Sequence, residues 1–130
     1  MKFPEECLYT RQHEWVRVLS DTALVGITDY AQKELGDVVF VELPKAGDTF
    51  DTNEPFGNVE SVKAVSEVFC PLAGEVIETN TDLVDSPELV NTDPYGDGWF
   101  VKFKITNLEE VKDLLNAEEY AELVAEESAE

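Results

Sequence analysis

Once its carboxylates are set aside, this chain has few residues able to do covalent or acid–base chemistry. There is one histidine, His13, and there are two cysteines, Cys7 and Cys70. A hydrolytic triad needs a base beside a nucleophile. His13 lies in no nucleophile-like context and has no Gly-x-Ser-x-Gly partner, so it is expected to be a structural or rim residue. One His and two distant Cys do not supply the three or four close ligands of a zinc site, so no metal is expected. The cysteines form no Cys-x-x-Cys pair and read as free thiols of a reducing compartment. With 29 Asp and Glu in the chain, any carboxylate pair is weak evidence for acid–base catalysis. What remains is a cation in an odd place: between Ala46 and Val101, Lys63 is the only basic residue among twelve acidic ones. It sits at the centre of an expected hairpin, where a turn presents its side chain outward. Alternatively it balances Glu60 and Glu67 in a surface pair worth at most about 1 kcal/mol, and spacing alone leaves the two readings level.

The elements that must position these groups are short and mostly β. Residues 15–27 read as two strands around a Ser20-Asp21 turn. Thr28 is a plausible N-cap for a helix over Asp29–Leu35 that stops at Gly36, and residues 38–43 form an apolar strand ended by Pro44. Residues 55–62 and 64–70 flank Lys63 as a hairpin, the outgoing arm alternating with mixed polarity as a sandwich-edge strand does. Residues 74–78 form another strand. Ser86 and Pro87 look like an N-cap and first helical residue for a short helix through Val90, and the last strand spans 99–105. Asn107-x-x-Glu110 and Asn116-x-x-Glu119 resemble capping boxes, so one or two amphipathic helices end the chain. Trp15, Phe40, Phe56, Phe69, Trp99 and Phe103 are expected in the core or as cleft wall. This pattern gives a mainly β class, a sandwich or small barrel with helices at its ends.

Charge and length narrow the function classes. Nine Lys and Arg against 29 Asp and Glu leave a net charge of −20, which opposes nucleic-acid binding and anionic membranes and favours partners with basic patches. The longest apolar runs are four residues, such as 38–41, far short of the roughly 20 that span a bilayer. Residues 1–6 show neither a secretory nor a transit signal, so a cytoplasmic protein is expected, or a mitochondrial matrix protein if a transit peptide has been removed. A length of 130 residues suits one domain over 1–130. Within it, 107–130 should form an acidic helical segment packed on the rest, its last few residues fraying. A monomer is expected.

Glu60-Ser61-Val62-Lys63-Ala64, then Ser66-Glu67-Val68, then Gly74 eleven residues past the lysine, resembles the lipoyl-attachment hairpin of the glycine cleavage system H-protein family. The similarity runs through nearly the whole chain. Tyr9-Thr10 with His13-Glu14-Trp15-Val16, Gly26-Ile27-Thr28-Asp29-Tyr30-Ala31-Gln32, Leu35-Gly36-Asp37-Val38-Val39-Phe40-Val41-Glu42-Leu43-Pro44, and Asn91 with Pro94-Tyr95-Gly96-Asp97-Gly98-Trp99 match family patterns in family order. Biotin carriers share the hairpin architecture but flank their lysine with Met, absent here.

The resemblance implies a lipoyl/biotinyl-type hammerhead β-sandwich, a barrel-sandwich hybrid, with short helices and a C-terminal helical segment. It implies lipoic acid in amide linkage on Lys63, attached by a lipoate ligase or lipoyl transferase. Lysine stem and lipoyl chain together make an arm of roughly 14 Å, about a dozen bonds each advancing ~1.2 Å. The protein would be a carrier and not an enzyme. A pyridoxal-phosphate glycine decarboxylase would load the arm with an aminomethyl group, a tetrahydrofolate-dependent aminomethyltransferase would unload it, and dihydrolipoamide dehydrogenase would reoxidise it. Family members shelter the loaded arm in a cleft where acidic groups bind its ammonium; Glu14 and Glu67 stand at matching positions, with ordinary surface carboxylates as the alternative. Gln12 and Glu34 stand where some members have a hydroxyl and a histidine, which leaves the parked pose open. Two other functions stay open: a relay passing lipoyl groups to other lipoyl domains, and an acidic interaction module with an unmodified Lys63.

Overall fold

A computed structural model describes residues 1–128 of the chain. Along the sequence run β1 (Leu8–Tyr9), β2 (Glu14–Leu19), β3 (Thr22–Ile27), α1 (Asp29–Leu35), β4 (Val38–Glu42), β5 (Thr49–Phe50), β6 (Pro55–Ser61), β7 (Val65–Phe69), β8 (Gly74–Thr79), α2 (Asp82–Asp85), α3 (Leu89–Thr92), β9 (Val101–Ile105), a 3-10 helix (Leu108–Asp113) and α4 (Ala117–Ser128). All pairings are antiparallel, in a six-stranded sheet of order β1-β2-β3-β9-β8-β5 and a three-stranded sheet of order β4-β6-β7. The two sheets stay open, making a sandwich and not a closed barrel.

Strand alternation divides the interior. Val16, Val25, Val76, Val101 and Phe103 of the large sheet meet Val41, Phe56, Val59 and Val68 of the small one. Trp15, one residue from Val16, faces the opposite side, where Cys7, Tyr9, Tyr30, Tyr120 and Val124 gather under α4. Tyr9 and Tyr120 stack there at 4.6 Å and 9°. Both cysteines are buried and free. The Cys70 thiol donates to the Leu72 carbonyl at 2.8 Å, and burial pushes it up to about 12; burial also raises Cys7, against the Arg17 guanidinium beside it.

Local signals act as their chemistry dictates. Ser20 takes the left-handed conformation (φ 59°) in the β2–β3 turn. Thr28 caps α1 by accepting from the Ala31 N–H at 3.2 Å, and Gly36 ends it at φ 81°. Asn116 and Glu119 cap α4 reciprocally, at 3.0 and 2.8 Å.

Several expectations need correction. Ser86 does not cap a helix from Pro87, because its own N–H closes α2 on Asp82 (2.8 Å); the following helix starts at Leu89. Asn107 makes half a capping box, since the Glu110 carboxylate instead accepts from Thr52 Oγ1 at 2.6 Å and Ala73 N at 3.1 Å. Strands β1 and β5 and helix α2 are additions, and the last strand begins two residues later than expected. Phe40 is neither core nor cleft wall but half exposed, at 50%. The expected fraying of the last few residues falls partly on 129 and 130, which lie outside the described residues; α4 continues to Ser128.

Candidate functional site

The tip joining β6 to β7 is fastened by one serine. Ser61 Oγ accepts from the N–H groups of Lys63 and Ala64 at 3.3 and 3.0 Å, and the Ser61 N–H donates to the Ala64 carbonyl at 2.7 Å. The Val62 N–H donates to the Asp37 carbonyl at 3.0 Å, strapping the tip to the link between α1 and β4. Lys63 is therefore held on a fixed backbone with its side chain exposed. Among the described residues no carboxylate lies within 4.0 Å of its ammonium, so the surface pair with Glu60 or Glu67 is not formed. Its stem passes over the end of α1, where a Cβ placed on Gly36 would touch Lys63 Cε at 3.5 Å.

Helix α1 and strand β7 also wall a cleft of about 200 Å³, closed by the turn between β1 and β2. Gln12, Glu14, Glu34 and Glu67 all line it, with Leu35 and Val68 among its apolar walls. Glu67 is exposed at the rim, whereas Glu14 is 2% exposed and is no surface carboxylate. Thr10 Oγ1 donates to Glu14 Oε1 at 2.6 Å, and the Phe69 N–H donates to Oε2 at 3.3 Å. Burial dominates those two bonds and pushes the Glu14 carboxyl up to about 7.

The cleft walls are tied together from behind by a group that sequence reading missed. Tyr120 Oη, on fully buried Tyr120 of α4, lies 2.7 Å from Thr28 Oγ1 and 2.8 Å from His13 Nδ1. His13 sits at the cleft rim at φ 73°, its ring 4.9 Å from that of Tyr30 and its Nε2 3.1 Å from Glu127. One hydroxyl thus touches the N-cap of α1 and the turn carrying Glu14. The other end of α1 is pinned by Asn91, whose amide donates to Gln32 Oε1 and the Gly36 carbonyl at 2.9 Å while its oxygen accepts from Val38 N. The only sequence signal for Tyr120 is its place on the apolar stripe of α4. Among the described residues no three His, Cys, Asp or Glu side chains converge as a metal site, and no helix is long and apolar enough to cross a membrane.

Comparison with known proteins agrees with this geometry. A glycine cleavage H-protein family model matches residues 7–127. Glycine cleavage system H proteins of Halothermothrix orenii and Herpetosiphon aurantiacus are 56% and 58% identical, over 97% and 96% of this chain and 98% and 95% of theirs. The crystal structure of a glycine cleavage system H protein from Mycobacterium marinum is similar with a TM-score of 0.85 and 41% identity, covering 92% of this chain and 97% of that one. On its sequence and on its fold, the chain belongs to the glycine cleavage H-protein family.

Proposed function

We propose that the chain is the lipoyl carrier of the glycine cleavage system, with lipoic acid in amide linkage on Lys63. The observation that carries this reading is an exposed lysine, without an ion-pair partner among the described residues, on the fixed β6–β7 tip of an H-protein family member. The residues fit the group: amide formation needs a reachable amine, and the stem of Lys63 lies on α1, a wall of the cleft. When bound, the lipoyl group supplies a dithiolane that takes the aminomethyl group from glycine decarboxylase to the aminomethyltransferase and electrons to dihydrolipoamide dehydrogenase.

The protein's share is presentation and shelter. Ile27, Leu35, Val59 and Val68 give the cleft an apolar lining, and Glu14 offers a buried carboxylate to an ammonium. A cation beside Glu14 favours its ionised form and so opposes the burial that raises its pKa. Glu67 offers a second, exposed carboxylate at the rim. Residues 1–130 act as one carrier unit, a monomer working in the cytoplasm, and within its acidic segment 107–130 helix α4 packs on the rest through Tyr120 and Val124. The pyridoxal-phosphate decarboxylase, the two further enzymes and a lipoate ligase or lipoyl transferase are its partners.

Intact mass and peptide mapping of protein from a lipoate-replete host test the reading. The expected result is a lipoyl adduct on Lys63 that is absent from Lys63→Arg. An unmodified Lys63 that also resists a purified lipoate ligase overturns it.

A further inference from the structure

Of nine exposed large hydrophobic side chains among the described residues, four cluster around Lys63: Val39 (48% exposed), Phe40 (50%), Val62 (70%) and Val65 (66%). Strand register explains the cluster. Phe40, Glu60 and Val65 are cross-strand partners and form one row on a common face of the small sheet. In the next row Val41 and its partner Val59 are buried and face inward, so the Phe40 row faces out. Between Val38 and Phe40 the chain advances two residues against one on β6, a bulge that leaves Val39 exposed beside Phe40. Asp37, Glu42, Glu60 and Glu67 are exposed around and within this apolar surface. An apolar surface with Glu60 set within it and Asp37, Glu42 and Glu67 around it has the composition of an interaction surface for a protein with the complementary charge.

We infer that this face is the docking surface of the enzyme that acylates Lys63, a partner presenting an apolar recess ringed by Lys and Arg; the inference rests on the attachment reading above. Reach selects this occupant. An unmodified lysine extends its nitrogen only about 6 Å, five bonds at ~1.2 Å, beyond its Cα. The acyl carbon must come within that reach, so the tip itself enters the enzyme's mouth and brings Val62, Val65 and Phe40 with it. After attachment, an arm of roughly 14 Å lets later partners stand away from the tip. In the step, neutral Lys63 Nζ attacks the carbonyl carbon of an acyl-adenylate. The amide C–N bond forms, the acyl C–O bond to phosphate breaks, AMP leaves with the electron pair, and the nitrogen gives up a proton to solvent.

The test uses the full-length unmodified chain with a purified lipoate ligase, ATP and lipoic acid, following the mass shift. Phe40→Thr/Val65→Thr keeps strand propensity while removing apolar surface, Val62→Thr repeats the change outside both strands, and Val84→Thr alters an exposed apolar residue on α2 as control. The double variant should raise KM for the protein about tenfold with kcat within about twofold, Val62→Thr should raise it less, and Val84→Thr should leave it unchanged. Equal KM values for wild type and both tip variants overturn the inference and leave the attachment reading standing. A wild-type chain that the ligase cannot modify at all overturns the attachment reading itself. Should the lipoylated tip variants lose decarboxylase turnover as strongly as they lose attachment, the assignment to the acylating enzyme is overturned.

Discussion

Glu14 is a carboxylate held where ionisation is costly. Its folded pKa of about 7 lies above the ordinary 4.5, so the folded state binds the proton more tightly than the unfolded chain. The associated stability is fully present below about pH 4.5 and is lost as pH rises through 7. Glu14→Gln removes this dependence. Between pH 5 and pH 8 the wild type should lose about 2 kcal/mol more unfolding free energy than the variant, as denaturant titrations at both pH values will measure. Gly26 makes a steric prediction. A Cβ there would come within 2.6 Å of Trp15 Nε1, on a buried indole anchored at 2.8 Å to the Pro94 carbonyl. Gly26→Ala should therefore cost roughly 1–3 kcal/mol or more, read from its thermal transition. Lys63 stood out in the sequence because an isolated cation in an acidic stretch is a local property. The burial of Glu14 did not, because it arises from β7 and α1 closing over β2, which no window around residue 14 contains.

Among the elements, α4 does more than cover a face. Its Tyr120 hydroxyl is the link between the α1 N-cap and the β1–β2 turn, so the geometry of the cleft depends on a helix almost a hundred residues away in sequence. Tyr120→Phe keeps the stack on Tyr9 but leaves Thr28 and His13 without that hydroxyl; the expected cost is about 1–3 kcal/mol. Faster amide exchange across α1 than across β8 and β9 is the accompanying signature. Asn116→Ala breaks the reciprocal cap and should cost about 1 kcal/mol, with exchange quickened in the first turn of α4. The elements legible beforehand were those whose signals are local: the Ser20 turn, the Thr28 cap with Gly36, and the Asn116 box. Strands β1 and β5, two residues each, are too short to carry a period and exist only through partners far along the chain. The Asn107 box misled because Glu110 finds half-buried donors in other loops, Thr52 Oγ1 and Ala73 N, and these tertiary bonds displace the local cap.

At the scale of the whole molecule, a net charge of −20 acts twice and with opposite sign. Self-repulsion burdens the folded state, so added salt should raise the melting temperature. The same screening should weaken the hold of partners with basic patches, so affinity for the proposed partner, glycine decarboxylase, should fall as NaCl rises from about 50 to about 300 mM. An affinity indifferent to salt would show that charge does not steer this encounter. The mainly β class was legible from frequent turns and short apolar runs; the division into six and three strands was not, because sheet order is set by pairings between distant segments.

The two cysteines have a bearing on electron flow. The reactive form of a thiol is the thiolate, and burial keeps Cys7 and Cys70 protonated and out of reach, the latter with its pKa pushed up to about 12. For a chain proposed to hold a group that cycles between disulfide and dithiol, an accessible thiol of its own would be a short circuit, capturing the ring as a mixed disulfide. The packed interior prevents this. Native protein should remain unlabelled by iodoacetamide, whereas the unfolded chain takes up two equivalents, one for each cysteine. The core that supports the tip therefore also insulates it, leaving the proposed lipoyl arm as the single terminal through which reducing equivalents would pass.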